Sequence, residues 1–447
     1  MQRLIPLLFL LAQPFSGFAE TWVLAPVNVI SMADGSVAAG QAVVIENGRI
    51  REVREHVPDA DDGALASVDG KNAWLIPGLA EMHAHIPPKA RGEQYARDVL
   101  ALFLANGVTM VRGMLGEAWH LELRTLLQNQ DWPGPRLVTS GPSFNGNSVS
   151  APQQAAQMVR EQAAAGYDFL KLHPGLAPDE FAAIAAAARE AQIPFAGHVS
   201  YAVGLDAALR EGQASIDHLD GYAEAMVPPG SELHAVAPQW FGLNLAAGMD
   251  PSKAEALAAA TARASVWSVP TQSLFETTTG LVPVASLLAR PGMEYLAQET
   301  SANWTRAVTD WRGQASPAHR TAFLEARRRL IQTLQEAGAG MLLGSDAPQI
   351  MNVPGFSVHQ ELAYLVAAGL SPLQALQSGT INVAKFLGRC DEGEVAAGHV
   401  ADLLLLEANP LEDINATTRI LGVVRGGTLY RRAQLDELLR GVSSRGI

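Results

Sequence analysis

Gly78-Leu79-Ala80-Glu81-Met82-His83-Ala84-His85 ends an apolar run on two histidines spaced two apart, directly after Pro77. In an extended chain that spacing puts both imidazoles on one face. A His-x-His pair by itself is a weak signal, but this one opens an ordered series. Asp168-Phe169-Leu170-Lys171-Leu172-His173, Ala196-Gly197-His198-Val199, Ile216-Asp217-His218-Leu219 and Leu343-Gly344-Ser345-Asp346-Ala347 follow it. Each places a polar side chain at the end of a short apolar run. Imidazoles and carboxylates are the ligands that borderline divalent metals such as zinc prefer. The series therefore predicts a hydrolytic site for two metal ions, with His83, His85, Lys171, His198, His218 and Asp346 as its members.

The same runs predict the fold. Leu79 to His85, Val108 to Arg112, Arg136 to Ser140, Phe169 to His173, Pro194 to Val199, Ser215 to Leu219, Val266 to Pro270 and Met341 to Asp346 read as eight strands. Helical periodicity fills the gaps, as in Pro178 to Ala191 and Arg320 to Ala337. Alternating βα units of this kind predict an α/β fold, a (β/α)8 TIM-like barrel with catalytic residues at the C-terminal strand ends. A doubly wound open sheet is the alternative, but it would hold ligands on the first and last strands apart. The stretches from His218 to Val266 and from Gln272 to Met341 exceed the roughly 30 residues of an ordinary unit. Helical insertions around 222–264 and 275–335 are expected there, carrying Trp240, Trp304 and Trp311 either as core or as a lid over an apolar pocket. Trp22 to Arg54 reads as strands with an Asn47-Gly48 hairpin turn, and Val400 to Leu406 and Ile420 to Tyr430 repeat that texture. Residues 20–72 and 388–447 are accordingly assigned to one small β-sandwich domain built from both termini, and 73–387 to the barrel.

Of the 447 residues, 48% are apolar and 17% charged, which suits a globular enzyme and argues against disorder. A formal net charge of −13 offers no basic footprint for nucleic acid. Met1-Gln2-Arg3, the apolar run Leu4 to Ala12 and the small-residue site Gly17-Phe18-Ala19 read as a cleavable signal peptide over 1–19. The run is too short for a stable membrane anchor. A periplasmic or secreted protein follows, stabilised without an intrachain disulfide because Cys390 is the sole cysteine.

The members of the series have ordinary readings too. His198 and His218, taken singly, suit a core or surface position, and Asp346 suits a helix N-cap. Pro348 and Pro354-Gly355 point to a loop after Asp346 instead. A protonated lysine repels a cation, so Lys171 alone reads as a charged rim residue. His-x-His, lysine, histidine, histidine and aspartate on successive strands, however, resembles the amidohydrolase superfamily, and most closely its imidazolonepropionase-like and Xaa-Pro dipeptidase-like members. The resemblance extends to the tail Gly393-Glu394-Val395-Ala396-Ala397-Gly398-His399-Val400-Ala401-Asp402-Leu403. It implies a carboxylated Lys171 bridging two divalent ions, zinc by preference. His83, His85, Lys171 and Asp346 would hold the first ion, and Lys171, His198 and His218 the second, with a hydroxide between them. Glu81, Gly113 and His399 depart from the family pattern without removing a ligand.

The implied chemistry is cleavage of a C–N bond, with Asp346 moving the proton. The favoured partners are small amides, dipeptides or N-acyl amino acids. Cyclic amides, phosphotriesters and lactones are the alternatives, and a homo-oligomer is the assembly to test for. Tyr222, four residues beyond His218, is the candidate substrate-binding residue, its phenol available either to polarise a scissile carbonyl or to make a structural hydrogen bond. His173 shares the inward face of Lys171.

Overall fold

The computed structural model describes residues 21–58 and 65–447, so the expected signal peptide lies outside the described residues. The N-terminal strands are β1 (Trp22–Ile30), β2 (Val37–Glu46), β3 (Arg49–Glu55) and β4 (Ala66–Pro77). Asn47 and Gly48 both take left-handed angles (φ 52° and 77°), the geometry that lets β2 turn tightly into β3. The sequence reading missed β4. Its apolar pattern is interrupted by Asp69-Gly70-Lys71-Asn72, where Lys71 and Asn72 have φ 52° and 55° and the pairing with β1 slips register. A bulge inside a strand imitates a turn in sequence.

Only Gly78 separates β4 from β5 (Leu79–Ala84), which pairs in parallel with β6 (Val108–Gly113), and β6 with β7 (Arg136–Thr139). β8 (Leu170–Leu172), β9 (Phe195–Gly197), β10 (Ser215–Asp217) and β11 (Trp267–Val269) form a second parallel sheet, ordered as in the chain. Single parallel bridges link the two: Ser140 to Phe169 between β7 and β8, Ser268 to Met341, and Ala84 to Ala347. The expected eighth strand, Met341 to Asp346, is not a regular strand. It contributes individual bonds, Leu342 N–H to Ser268 O (2.9 Å) and Met82 N–H to Leu343 O (2.7 Å), before Asp346 turns left-handed at φ 65°.

The C-terminal strands β12 (Leu403–Leu406), β13 (Ile420–Arg425) and β14 (Thr428–Arg431) complete a seven-stranded sheet in the order β14-β13-β12-β4-β1-β2-β3. The expected sandwich is thus one hydrogen-bonded sheet drawn from both termini rather than two sheets. It is rolled, since Arg49 of β3 bridges Val400 just ahead of β12. Leu24, Val43, Leu75, Leu403 and Val424 from five strands share one buried cluster.

Helices Pro178–Glu190 and Pro317–Glu336 each carry proline in the first turn, where its missing N–H costs nothing. The two long connections hold Tyr222–Met226, Ala254–Arg263 and Gln298–Gly313. Among the described residues no helix is long and apolar enough to cross a membrane.

Candidate metal centre

β5, β8, β9 and β10 deliver their side chains at C-terminal ends. His83 Nε2 lies 3.4 Å and His85 Nε2 2.7 Å from Asp346 Oδ1, and His218 Nδ1 lies 4.0 Å from Asp346 Oδ2. The rings of His83 and His218 are 4.5 Å apart, and those of His198 and His218 4.6 Å. Lys171, fully buried, points its Nζ to within 3.9 Å of Asp217 Oδ2. Five of the six predicted residues form one chain of contacts, and Asp217 links Lys171 to it through His83. Its tightest group, His83, His218 and Asp346, offers three ligand atoms within 4.8 Å of one another.

The backbone is bent to achieve this. His218, Thr271 and Asp346 all have left-handed φ (63°, 48° and 65°), which is costly for residues with a Cβ and persists only where surroundings enforce it. Arg327, from the long Pro317–Glu336 helix, donates to His218 O (2.7 Å) and Pro270 O (2.8 Å). Glu361 accepts from the backbone N–H of Gln272 and Ser273, and so holds Thr271, whose hydroxyl pairs with His218 Nδ1 at 2.8 Å. Glu81 accepts from His83 N–H, Ser345 N–H and Ser345 Oγ–H, and thereby clamps β5 to the segment bearing Asp346. Close approach needs glycine twice. A Cβ on Gly197 would lie 2.5 Å from Leu172 O and 2.9 Å from Lys171 Cδ; one on Gly344 would lie 3.0 Å from His83 N.

Electrostatics suit a cation. Burial, reinforced by the nearby Lys171, pushes His198 down to about 3 and His83 well below its usual value, while burial and the neighbouring His83 do the same to His218. Neutral imidazole is the ligating form. Burial also lowers Lys171 to about 8, with Asp217 and Asp346 opposing the shift. Lys171 Nζ, His83 Nδ1, His173 Nδ1, Asp217 Oδ2 and Asp346 Oδ1 are all buried without a hydrogen bond. Asp217 Oδ2 is 2.9 Å from His83 Nδ1, yet at an angle that bonds neither atom. Unpaired buried polar atoms are expensive, and so many in one place mark a site completed by a further partner. Ligands on a tetrahedral zinc at about 2.05 Å are roughly 3.3 Å apart, close to the His83–Asp346 spacing. The residues fit a divalent metal centre.

Four residues in or beside the centre had been passed over or only weakly noted. Asp217 lies beneath His83 and Lys171, and Ser215 Oγ–H and Arg112 Nη2–H donate to its Oδ1 at 2.8 and 3.3 Å. Its signal was the alternation Ser215-Ile216-Asp217, which puts Ser215 and Asp217 on one face. Asp220 pairs with His198 Nδ1 at 2.7 Å, leaving Nε2 free for the site, the outer carboxylate–imidazole arrangement that orients metal-binding histidines. Burial pushes Asp220 up to about 8. His173 stacks on His198 at 4.9 Å. Phe241, from the first long connection, lies 5.2 Å from the His218 ring, and Trp240 beside it stacks on Trp311 of the second at 3.8 Å.

Of the two readings of Tyr222, the structure has the structural hydrogen bond. Its hydroxyl shares a 2.6 Å hydrogen bond with Thr261 Oγ1, and its ring is packed into the main apolar core at 1% exposure. Its position just inside a helix N-terminus, after left-handed Gly221, turns the phenol toward the Ala254–Arg263 helix. It is a packing residue here, and the carbonyl-polarising role lacks a geometry. His359 likewise serves packing, bonding Thr417 and Asn106 O.

Known proteins bear on the centre. Ochratoxinase from Aspergillus niger is 30% identical over 116 residues, 25% of this chain and only 23% of that protein. Among solved structures, bottromycin amidohydrolase superposes with a TM-score of 0.73 at 24% identity, covering 96% of this chain and 91% of that one. A Xaa-Pro dipeptidase with bound methionine gives 0.67 at 18% identity, covering 92% and 100%. Both support the fold alone. The sequence model of the Amidohydrolase family matches residues 74–430, from the end of β4 through β14 and across every member of the centre, and this chain therefore belongs to the amidohydrolase family.

Proposed function

We propose that this chain is a secreted or periplasmic hydrolase of dipeptides or N-acyl amino acids, working at a two-metal centre in the mouth of a (β/α)8 barrel. The observation that carries the reading is the convergence of unpaired buried atoms on Lys171, Asp217, His83 and Asp346. The single bridges at Ser140, Ser268 and Ala84 support a ring of strands closed by the Met341–Asp346 segment.

His83, His85, Lys171 and Asp346 are assigned to one ion and Lys171, His198 and His218 to the other, zinc being favoured by the nitrogen-rich set. When bound, such ions polarise a carbonyl and lower the proton affinity of water. As a carbamate, Lys171 would supply oxygen ligands to both. With its amine at about 8, a useful fraction is neutral near physiological pH, and the neutral amine is the form that adds to carbon dioxide, releasing one proton. Asp220 holds the ring of His198 in register through its hydrogen bond, and Asp217 places a carboxylate oxygen 2.9 Å from His83 Nδ1. Asp346, whose Oδ1 has no hydrogen bond, takes a proton from the attacking water and passes it to the leaving nitrogen.

The test is a screen of zinc- and manganese-loaded protein against dipeptide and N-acyl amino acid libraries, with cyclic amides as a parallel set. Metal-dependent turnover of linear amides is expected. Turnover confined to cyclic amides would replace the substrate class, and none in either set would overturn the reading.

A further inference from the structure

Beside His85 opens a cavity of about 620 Å³ that the metal-centre residues do not fill. It lies within the range of sites that accommodate whole small molecules, roughly 300–1,000 Å³. Three parts of the chain wall it: the stretch after β5, with Ile86, Pro87 and Tyr95; the loop after β6, with Leu115; and the second long connection, whose Gln298–Gly313 helix contributes Trp304. Pro348, two residues beyond Asp346, also lines it.

Several of the polar groups there are already engaged. Arg91 lies over the Tyr95 ring at 4.5 Å, Glu117 accepts from Lys89 N–H at 2.6 Å, and His120 Nε2–H donates to Pro87 O at 3.1 Å. What remains to be matched is chiefly apolar and aromatic surface. Leu115 is 45% exposed, large for a leucine next to a catalytic centre, and covering it is worth about 25 cal/mol per Å² of apolar area removed from water. A small polar acyl group would leave most of this space to water.

We infer that the cavity beside His85 receives a bulky apolar, preferably aromatic, side group of the substrate, and that Trp304 and Leu115 determine that preference. The inference rests on the amide-hydrolase reading, since His85 ties the cavity to the scissile bond. One end of the substrate is held over the metal centre while its ring lies against the indole of Trp304. The oversized connection after β11 then has a purpose, because it supplies a wall that the strand ends themselves lack.

The experiment measures binding rather than turnover. Calorimetric titration of the metal-loaded protein with 3-phenylpropionate and with propionate compares two carboxylates that differ by the phenyl group and contain no hydrolysable bond. The wild type should bind 3-phenylpropionate at least tenfold more tightly. Trp304→Ala should shrink that ratio to threefold or less, with propionate affinity unchanged. Because Trp304 also packs against the core, Leu115→Lys, at an exposed position, is the second arm and should shrink the ratio as well. Equal affinities in the wild type, or a ratio that survives both substitutions, would overturn the inference. A retained phenyl preference in a protein that hydrolyses no amide would overturn the hydrolase reading instead, and leave the cavity assignment standing.

Discussion

At the scale of single residues, the proposal turns on two side chains that do different things. Asp346 is assigned a proton to carry, so Asp346→Asn should keep its size and one coordinating oxygen but lose the base. Loss of a general base costs about 100- to 10,000-fold in rate, on the order of 3–5 kcal/mol of barrier. Steady-state kinetics on an identified amide should show that fall in kcat, with both metals retained by elemental analysis and a product analogue bound as before. A variant within a few-fold of wild type would reduce Asp346 to a ligand. Lys171 is fully buried with no hydrogen bond to its Nζ, and it is assigned the bridging role as a carbamate. Lys171→Ala should lose metal and most activity, and millimolar acetate should restore part of both by filling the carbamate's place. Lys171→Arg should be no better, because a guanidinium does not form the same carbamate. Full activity in either variant would sink the bridging assignment.

Among elements, helices packed against the parallel strands hold the strained strand ends in place. Arg327 reaches from one helix to the carbonyls of His218 and Pro270, and Glu361 from another to the turn at Thr271. The helix bearing Glu361, Phe356–Ala367, is anchored by His359, whose Nε2–H donates to Asn106 O and whose Nδ1 meets Thr417 Oγ1, both at 3.0 Å. Burial lowers His359 from 6.5 to about 4. A histidine depressed in the folded state binds its proton first in the unfolded chain. Its contribution to stability is therefore complete above pH 6.5 and is lost as pH falls toward 4, by about 3 kcal/mol at 1.36 kcal/mol per unit. His359→Gln keeps a donor for Asn106 O but does not titrate. Urea unfolding at pH 7 and pH 4 should show the variant losing about 3 kcal/mol less than wild type over that interval. Identical losses would mean that His359 is protonated in the folded state.

For the molecule as a whole, the metal centre joins both parallel sheets and the Met341–Asp346 segment that bridges them. Protein purified without chelator should contain close to two divalent ions per chain. Stripping them should abolish activity and lower the melting temperature, because ligands that bind only the folded state stabilise it by mass action. Zinc, cobalt or manganese should restore both. One ion or none by elemental analysis would count against a binuclear centre, and an unchanged melting temperature would mean that the strand ends are held by Arg327, Glu361 and Glu81 alone.

Much of this was legible in one dimension. The order of histidine, lysine and aspartate after apolar runs identified the six converging residues, and the alternation of strand and helix patterns identified a parallel α/β fold, because both depend on local periodicity. The rest depended on contacts between residues far apart in the chain. β4 was hidden by a bulge that reads as a turn. Asp217 and His218 are adjacent, and only the left-handed φ of His218 lets both side chains reach the centre. Tyr222 kept two readings because sequence distance from His218 says nothing about which way a helix faces; its hydroxyl found Thr261, 39 residues on. The cavity beside His85 takes its walls from three distant segments, and only tertiary packing brings Trp304 to it. Ligand identity follows from side-chain chemistry, which the sequence carries. The surroundings that leave those ligands neutral and short of partners follow from burial, which the tertiary structure alone decides.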